Sequence, residues 1–313
     1  NFKTCYNEAK KVDSSRPFQY ERNNDIVDMG SNQYPSVGSV KDTASGKASW
    51  VKYPFYISEY AHNMNNAMGN LKDYQDAIES SYRILGAAIW DWVDQGLYLD
   101  TTNGARVIGY GGDFGDYPND GQFVFNGVIL ADRTPEPGYY EVKHVFQNFS
   151  VAAGKNASKL LIRNKNYFRD NSYVSASWKL LHNGVIVDSG KLKLPKIEPQ
   201  GEREIDVPKA ALEKITADGE WDLRVEFALC KTESCVLPAG FVIAADQIGL
   251  AAAKPAKYKV CENVSSPLTV SEADGKVMLL PFSVGGTEEV EGAVTALRLP
   301  GGTDQGAQLY EAL

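Results

Sequence analysis

The hydrophobic pattern of this chain changes its period near residue 146, and the change predicts two kinds of domain. In the first region, residues 1–145, apolar positions with helical spacing, such as Leu71, Tyr74 and Ile78, alternate with short apolar runs of strand length. Alternating helices and strands are typical of parallel βα units. Residues 1–145 are therefore expected to form an α/β structure.

Six elements are expected in this first region. They are a helix over Phe2–Val12, strands at 18–20, 25–29 and 55–59, a helix within 68–82 and a buried strand at 85–90. Polar or aromatic side chains stand at the carboxyl-terminal end of each predicted strand. Because that end forms the active-site face of a (β/α)₈ barrel, these side chains are the candidates for chemistry.

From 146 to 258, apolar residues alternate with polar ones, as they do at Val174, Ala176 and Trp178. A period of two residues is typical of strands with one buried face. The Asn-Gly pair at 183–184 predicts a hairpin turn. Short strands separated by such turns favour an immunoglobulin-like β-sandwich. The last residues, 259–313, begin with strand-like pieces and then become Gly-rich.

Composition argues against several classes of function. A net charge of −8 disfavours nucleic-acid binding, which depends on Lys and Arg contacts with phosphates. No apolar run approaches the roughly 18 residues that a membrane-spanning helix requires. Five Trp and 17 Tyr suit sugar binding, since a pyranose face stacks on flat rings, although core packing is the simpler account of any single ring. The sequence leaves a cytoplasmic and a periplasmic location equally open.

The carboxylate of Glu59 ends the third predicted strand, in the run Phe-Tyr-Ile-Ser-Glu-Tyr-Ala-His. A carboxylate at the end of a buried strand costs free energy unless it is paired or functional. At the open end of a barrel, it is suited to attack the anomeric carbon of a sugar as a nucleophile. A salt bridge at a strand end is the structural alternative, and spacing alone does not decide between them.

Two further clusters follow along the chain. Trp90 lies in the run Ile-Trp-Asp-Trp-Val-Asp-Gln, where it provides either a platform for a sugar ring or packing in the core. A Gly- and Asp-rich loop over 111–127 offers oxygen ligands for a hard cation. A turn-rich loop without a metal is the alternative, and the residues alone favour it.

Six ordered stretches of the chain resemble those of the large bacterial β-galactosidases of glycoside hydrolase family 2. They are Ser-Arg-Pro-Phe-Gln-Tyr-Glu at 15–21, Asp-Ile-Val with Tyr-Pro-Ser-Val within 25–37, Glu-Tyr-Ala-His at 59–62, Trp-Asp-Trp-Val-Asp-Gln at 90–95, Gly-Gly-Asp-Phe-Gly-Asp with Pro-Asn-Asp within 111–120, and Asn-Gly with Ala-Asp-Arg-Thr-Pro within 126–135. The resemblance implies the second half of a (β/α)₈ TIM barrel over 1–145. It further implies an immunoglobulin-like sandwich over 146–258 and the start of a β-supersandwich over 259–313.

The resemblance also implies roles for single side chains. Glu59 matches the nucleophile that forms a covalent galactosyl-enzyme intermediate. His62 resembles the histidine that hydrogen-bonds the sugar near the transition state, and Trp90 resembles the ring on which galactose rests. Tyr34 falls near the tyrosine that hydrogen-bonds the nucleophile, although residues 30–33 stand before it as an insertion relative to the family pattern.

Metal ions are implied in the same way. Phe123, through its backbone carbonyl, and Asn126, through its side-chain oxygen, match ligands of a sodium ion, and Asn126 is also a candidate for substrate binding. The family's acid/base glutamate lies in a Gly-Asn-Glu motif upstream of the first helix, and it is also a magnesium ligand. That motif and the other magnesium ligands are absent from this sequence.

The implied activity is hydrolysis of terminal non-reducing β-D-galactose residues, as in lactose, by double displacement with retention. Retaining hydrolysis requires two carboxyl groups about 5 Å apart, and this chain contributes only Glu59. The isolated chain is therefore expected to be essentially inactive without an N-terminal half of the same enzyme. The whole enzyme is expected to be a homo-oligomer.

Two alternatives stay open at this point. Another activity of the same family, such as that of a β-glucuronidase or a β-mannosidase, would keep the mechanism and change the sugar. The stretch that begins at Glu59 and the loop that contains Asn126 favour galactose, since they resemble the galactosidases specifically. The other alternative is a carbohydrate-binding or structural fragment without catalytic activity.

Overall fold

The computed structural model describes residues 1–22, 25–65 and 67–251, together with the backbone of 270–273 and 276–279. The chain forms two compact units, Asn1–Ala253 and Lys254–Leu313. The described backbone of the second unit is an antiparallel hairpin of Val270–Ala273 and Lys276–Leu279. The rest of the predicted β-supersandwich start lies outside the described residues.

The first part of the larger unit alternates helices and strands, as the sequence predicts. In chain order the elements are α1 (Phe2–Val12), β1 (Gly30–Gln33), α2 (Val37–Ser45), β2 (Phe55–Tyr60), α3 (Leu71–Glu79), β3 (Ile84–Ile89), β4 (Leu97–Asp100), β5 (Arg106–Gly109) and α4 (Pro137–Val145). Strands β1, β2 and β3 form a parallel sheet in that order, and β4 and β5 form a separate antiparallel hairpin that the sequence pattern does not predict. The predicted helices α1 and α3 and strands β2 and β3 are confirmed.

The first two predicted strands are wrong in position. The strand predicted at 25–29 instead begins at Gly30, as β1. The segment 18–20 takes part in pairing only through an isolated bridge between Gln19 and Met29. The described part of the parallel sheet therefore has three regular strands where the sequence pattern predicts four.

The carboxylate of Asp28 explains this shift. It pairs with the Lys10 ammonium at 2.7 Å and accepts hydrogen bonds from the Tyr6 hydroxyl at 2.7 Å and the Phe18 backbone N–H at 2.8 Å. The hydrogen bonds from Lys10 and Tyr6 hold the pKa of Asp28 well below its usual value. An Asp side chain that binds nearby groups in this way stabilises a turn in place of an extended strand. The chain therefore joins the sheet only after Asp28.

One face of the parallel sheet is covered by helices. Phe55 and Ile57 of β2 are 1% and 0% exposed, and they belong to a core cluster with Val40 of α2, Leu71 of α3 and Val142 of α4. Because both side chains are anchored in this layer, the backbone of β2 is held firmly up to its carboxyl-terminal end. The functional candidates lie at that end.

The second part of the larger unit is all-β. Its strands are β6 (Phe149–Ala153), β7 (Lys159–Asn164), β8 (Val174–His182), β9 (Val185–Leu192), β10 (Glu202–Asp206), β11 (Trp221–Leu229) and β12 (Val242–Ala251). A 3₁₀ helix (Asn171–Tyr173) precedes β8, and a short α-helix, α5 (Lys209–Leu212), precedes β11. They form two antiparallel sheets, β10-β7-β6 and β12-β11-β8-β9.

The two sheets enclose one apolar core. Phe149 and Ile162 of the first sheet, and Leu180 and Phe227 of the second, are all 0% exposed in a single cluster. The turn between β8 and β9 has positive φ at both Asn183 (48°) and Gly184 (78°), as the Asn-Gly pair predicts. The predicted fold class, α/β followed by a β-sandwich, is confirmed for the described residues. No helix among them is long and apolar enough to cross a membrane.

Candidate active site

The carboxyl-terminal end of β2 carries Glu59. Pairing with β3 is irregular between Ile57 and Tyr60, so Glu59 lies at a distorted strand end outside the regular ladder. Its side chain is half-buried. A group in that environment is partly removed from water and still accessible to a ligand.

Two side chains at the end of β1 contact this carboxylate. The side-chain N–H of Gln33 donates to Glu59 Oε2 at 3.1 Å. The Tyr34 backbone N–H donates to the Glu59 carbonyl oxygen at 2.7 Å, which holds Tyr34 beside this residue. Burial, and then hydrogen bonding to Glu59, raises the pKa of Tyr34 well above its usual value. A tyrosine is protonated at neutral pH, so its hydroxyl can donate to the carboxylate.

A row of rings borders Glu59. The ring of His62 meets that of Tyr34 edge to face, with centroids 6.0 Å apart, and stacks on that of Phe123 with centroids 6.2 Å apart. Phe123 is exposed and His62 is half-buried. The row brings together three candidates from separate parts of the sequence, and it leaves the His62 imidazole accessible for a hydrogen bond to a ligand.

Trp90 lies directly after β3, beside the end of β2. Its backbone N–H donates to the Tyr60 carbonyl at 2.9 Å, and its own carbonyl accepts from the Asn63 N–H at 3.0 Å. The peptide bond between Trp90 and Asp91 is cis. Trp90 is half-buried, and this exposure agrees both with a platform for a sugar ring and with packing against a neighbouring layer.

The end of the 111–127 loop is attached to the same region by backbone hydrogen bonds. Asp91 N–H donates to the Asn126 carbonyl at 2.6 Å, and Val128 N–H donates to the Asp91 carbonyl at 3.0 Å. The Gly127 N–H donates to Asp94 Oδ1 at 2.8 Å. Burial raises the pKa of the Asp94 carboxyl, while the backbone N–H groups that it accepts from act in the opposite direction.

Asn63 joins this loop to β2 from the other side. Its side-chain N–H group donates to the Gly127 carbonyl at 2.7 Å and to Glu136 Oε2 at 2.8 Å. Asn63 and Asp94 are 6% and 8% exposed. Sequence reasoning assigned neither of them a role: Asp94 lies inside the stretch 90–95, and Asn63 directly follows the stretch 59–62.

The side chain of Asn126 has a vacant acceptor. Its Nδ2 donates to the Phe123 carbonyl at 3.1 Å, and its Oδ1 is buried without a hydrogen-bond partner among the described residues. A buried oxygen without a donor is costly. The Phe123 carbonyl oxygen, the other ligand that the sequence resemblance implies, accepts a hydrogen bond from the Asn126 amide nitrogen. Both are neutral oxygens, the type of donor that suits a hard cation of low charge. No group of three or more His, Cys, Asp or Glu side chains suited to a metal occurs among the described residues.

The candidates from the sequence thus lie at one end of the parallel sheet. The structure joins Tyr34, Glu59, His62 and Phe123 by direct side-chain contacts, and it connects Trp90 to the same strand end through the backbone. It adds Gln33, which sequence reasoning noted only as part of an insertion.

Two family models match the chain. The TIM barrel domain of glycosyl hydrolases family 2 matches residues 1–151, and domain 4 of beta-galactosidase matches residues 160–251. These two ranges correspond to the α/β part and to the β-sandwich of the larger unit.

Several curated relatives of this chain are named β-galactosidase. β-Galactosidases from Vibrio vulnificus and Photobacterium profundum are each 34% identical, over 265 and 312 residues. The first match covers 80% of this chain and 25% of the relative, and the second covers 87% and 30%. A β-galactosidase from Pseudoalteromonas haloplanktis is 36% identical over 219 residues, 64% of this chain and 21% of the relative.

The chain spans about a quarter of the length of the curated relatives that it matches. The match with a solved β-glucuronidase from Bacteroides uniformis covers 79% of this chain and 30% of the β-glucuronidase chain, at 13% identity and a TM-score of 0.33. This structural similarity is too low to bear on the classification. The two ordered family matches and the identities of 34–36% decide the classification. The chain belongs to glycosyl hydrolase family 2.

Proposed function

We propose that this chain is the part of a retaining β-galactosidase that provides the nucleophile, Glu59. The observation that carries the proposal is the half-buried Glu59 carboxylate at a strand end, with donors from Gln33 and Tyr34. The structural alternative for Glu59 was a salt bridge at the strand end. No Lys or Arg among the described residues forms an ion pair with Glu59. The names of the curated relatives support galactose as the sugar.

In the proposed mechanism the Glu59 carboxylate attacks the anomeric carbon, and the bond to the leaving oxygen breaks as the glycosyl ester forms. Water then attacks the same carbon, so the configuration is retained. Tyr34 donates to the carboxylate and stabilises its charge before the attack and after the ester is cleaved. His62 binds a sugar hydroxyl, and the Trp90 face supports the ring.

The other carboxyl group belongs to the remainder of the enzyme in this proposal. Retaining hydrolysis requires an acid/base group about 5 Å from the nucleophile, and this chain covers only 25% of the first relative's length. The magnesium site is assigned to the same remainder. Exposed apolar side chains next to the sheet support a missing partner layer: Tyr82 is 83% exposed, Leu85 64% and Trp92 51%.

A panel of activated glycosides tests the proposed sugar. We expect kcat/KM of the full-length enzyme for 4-nitrophenyl β-D-galactoside to exceed that for the matching β-glucuronide and β-mannoside by at least about 100-fold, because a site built around specific hydroxyls rejects analogues that leave them unpaired. Proton NMR of the first product should show the β-anomer. Preference for a glucuronide or mannoside would replace galactose and keep the mechanism. Binding of galactose without turnover of any glycoside would favour the non-catalytic alternative.

The sodium site is part of the same proposal. Asn126 Oδ1 and the Phe123 carbonyl would hold the ion, which would supply a positive charge for binding a sugar hydroxyl. The vacant buried Oδ1 supports this assignment, since a cation would satisfy it.

Exchange of sodium for choline should therefore raise KM for the β-galactoside about tenfold, the effect of leaving one buried polar group unsatisfied. Asn126→Ala should lose most of this response. Asn156→Ala, an exposed position in the sandwich, is the matched control and should keep it. An unchanged sodium response in Asn126→Ala would count against the site.

A further inference from the structure

A chain of three polar side chains, Glu21, Arg22 and Gln33, leads from the surface to the Glu59 carboxylate. Arg22 Nε pairs with Glu21 Oε1 at 2.9 Å, and an Arg22 terminal nitrogen donates to the side-chain oxygen of Gln33. Gln33 Nε2 in turn donates to Glu59 Oε2 at 3.1 Å. The Arg22 backbone N–H donates to the Ser31 carbonyl at 3.2 Å, which attaches this turn to β1.

The chemistry of the two neighbours determines which way the Gln33 amide points. An arginine side chain only donates hydrogen bonds, and a carboxylate only accepts them. The Gln33 oxygen must therefore face Arg22, and its NH₂ group must face Glu59. In the reversed orientation, the NH₂ group of Gln33 would face the donors of Arg22, and its oxygen would face the carboxylate oxygens of Glu59. Neither hydrogen bond could then form. The Arg22 side chain therefore fixes the orientation of the Gln33 amide, so that its NH₂ group stays directed at Glu59.

We propose that Gln33 is a positioning residue for the nucleophile, and that Arg22 fixes its orientation. This inference rests on the proposed function of Glu59. A donor on Oε2 keeps the Glu59 carboxylate from rotating freely, so the attacking geometry is set before the sugar binds. The family pattern assigns Gln33 no role, because Gln33 belongs to the 30–33 insertion.

Backbone pairing supports the same arrangement. Gln33 is the register partner of Glu59 between β1 and β2, across an irregularity in that ladder. Neighbouring residues in register on adjacent strands present their side chains to the same face. The Gln33–Glu59 hydrogen bond is therefore a consequence of the sheet register and of the distortion at the strand end.

The test uses the full-length enzyme with 2,4-dinitrophenyl β-D-galactoside. This leaving group needs no protonation, so kcat/KM reports attack by Glu59. Gln33→Met keeps the size and removes the donor, and kcat/KM should fall about tenfold. Gln33→Glu replaces the donor by a second carboxylate, and the fall should reach about 100-fold because like charges oppose each other. The inhibition constant of a non-hydrolysable thio-galactoside should change less than about twofold in both variants.

Arg22 gives a second test from the protein surface. Arg22→Met should lower kcat/KM severalfold, and Arg22→Lys, which keeps a charged donor, should recover most of that loss. Arg16→Met is the matched control, because Arg16 is an exposed arginine paired with Asp13 and has no contact with Glu59. Its kcat/KM should equal that of the unchanged enzyme. A merely structural role of Gln33 would lower melting temperature and ligand binding along with turnover.

The outcomes separate this inference from the proposed function. If Gln33→Met and Gln33→Glu keep the original kcat/KM while Glu59→Gln is inactive, the positioning role is wrong and the nucleophile assignment stands. Equal losses in the two Gln33 variants would also contradict it, since the charge of the replacement would then have no effect. If Glu59→Gln retains full turnover, the proposed function fails, and the inference fails with it.

Discussion

Replacing Glu59 with Gln in the full-length enzyme is expected to lower kcat/KM for an aryl β-galactoside by at least about 10⁴-fold. The amide cannot form the glycosyl ester, so the first half of the double displacement is lost. Binding of galactose should persist, because the amide keeps the size of the carboxylate and can still meet neighbouring polar groups. The measurement is turnover and galactose binding on the same protein preparation.

Glu141→Gln provides the matched control, as Glu141 is an exposed carboxylate on α4. Its turnover should be unchanged. A chemical rescue makes the assignment sharper: Glu59→Gly with azide and an activated galactoside should yield the α-galactosyl azide, because azide attacks from the face that Glu59 occupied and the aryloxide leaves. Absence of the α-product, together with turnover retained in Glu59→Gln, would show that another residue is the nucleophile.

The second large effect is expected for Gly127→Ala. A Cβ added to Gly127 would overlap the backbone nitrogen of Asp94 and the carbonyl carbon of Val93, and it would lie 2.8 Å from the Ile129 carbonyl oxygen. Backbone atoms cannot move aside as a flexible side chain does. We therefore expect a destabilisation of at least about 3 kcal/mol. The displaced loop would carry Asn126 away from its position, and turnover should fall at least about 100-fold.

Calorimetric melting and galactoside turnover measure this effect. Gly69→Ala is the matched control, because a Cβ at Gly69 meets no atom within 4 Å. It should leave both the melting temperature and turnover unchanged. A melting temperature of Gly127→Ala equal to that of the unchanged enzyme would show that the loop packs less closely against Asp94 than the structure indicates.

Local periodicity predicted much of the fold. The alternation at Val174, Ala176 and Trp178 corresponds to β8, and the helical spacing at Leu71, Tyr74 and Ile78 corresponds to α3. These patterns are reliable because each follows from which face of one element is buried. The strand predicted at 25–29 failed because the contacts of Asp28 with Lys10, Tyr6 and Phe18 stabilise a turn there.

The site was predictable only in part. Glu59, His62 and Trp90 lie in recognisable stretches, and the expected contact of Tyr34 with Glu59 agrees with the hydrogen bond in the structure, although their catalytic roles stay predictions. Gln33 was not predicted as a partner of Glu59. The two residues are 26 positions apart in the sequence, and neither has a local signal that points to the other.

The sequence by itself determined the kind of strand that ends at Glu59, the family-like stretches around it and the alternation of the sandwich, because all of these are set by residues close together in the chain. The tertiary structure alone decided which donors reach the Glu59 carboxylate and why residue 127 must be glycine. The physical reason is register. A shift of one residue between β1 and β2 would turn Gln33 to the other face of the sheet, and nothing in the local pattern of either strand specifies that alignment. Glu59 can thus be identified as a candidate from its own strand, whereas the hydrogen bonds that link Arg22, Gln33 and Glu59 exist only in the folded chain.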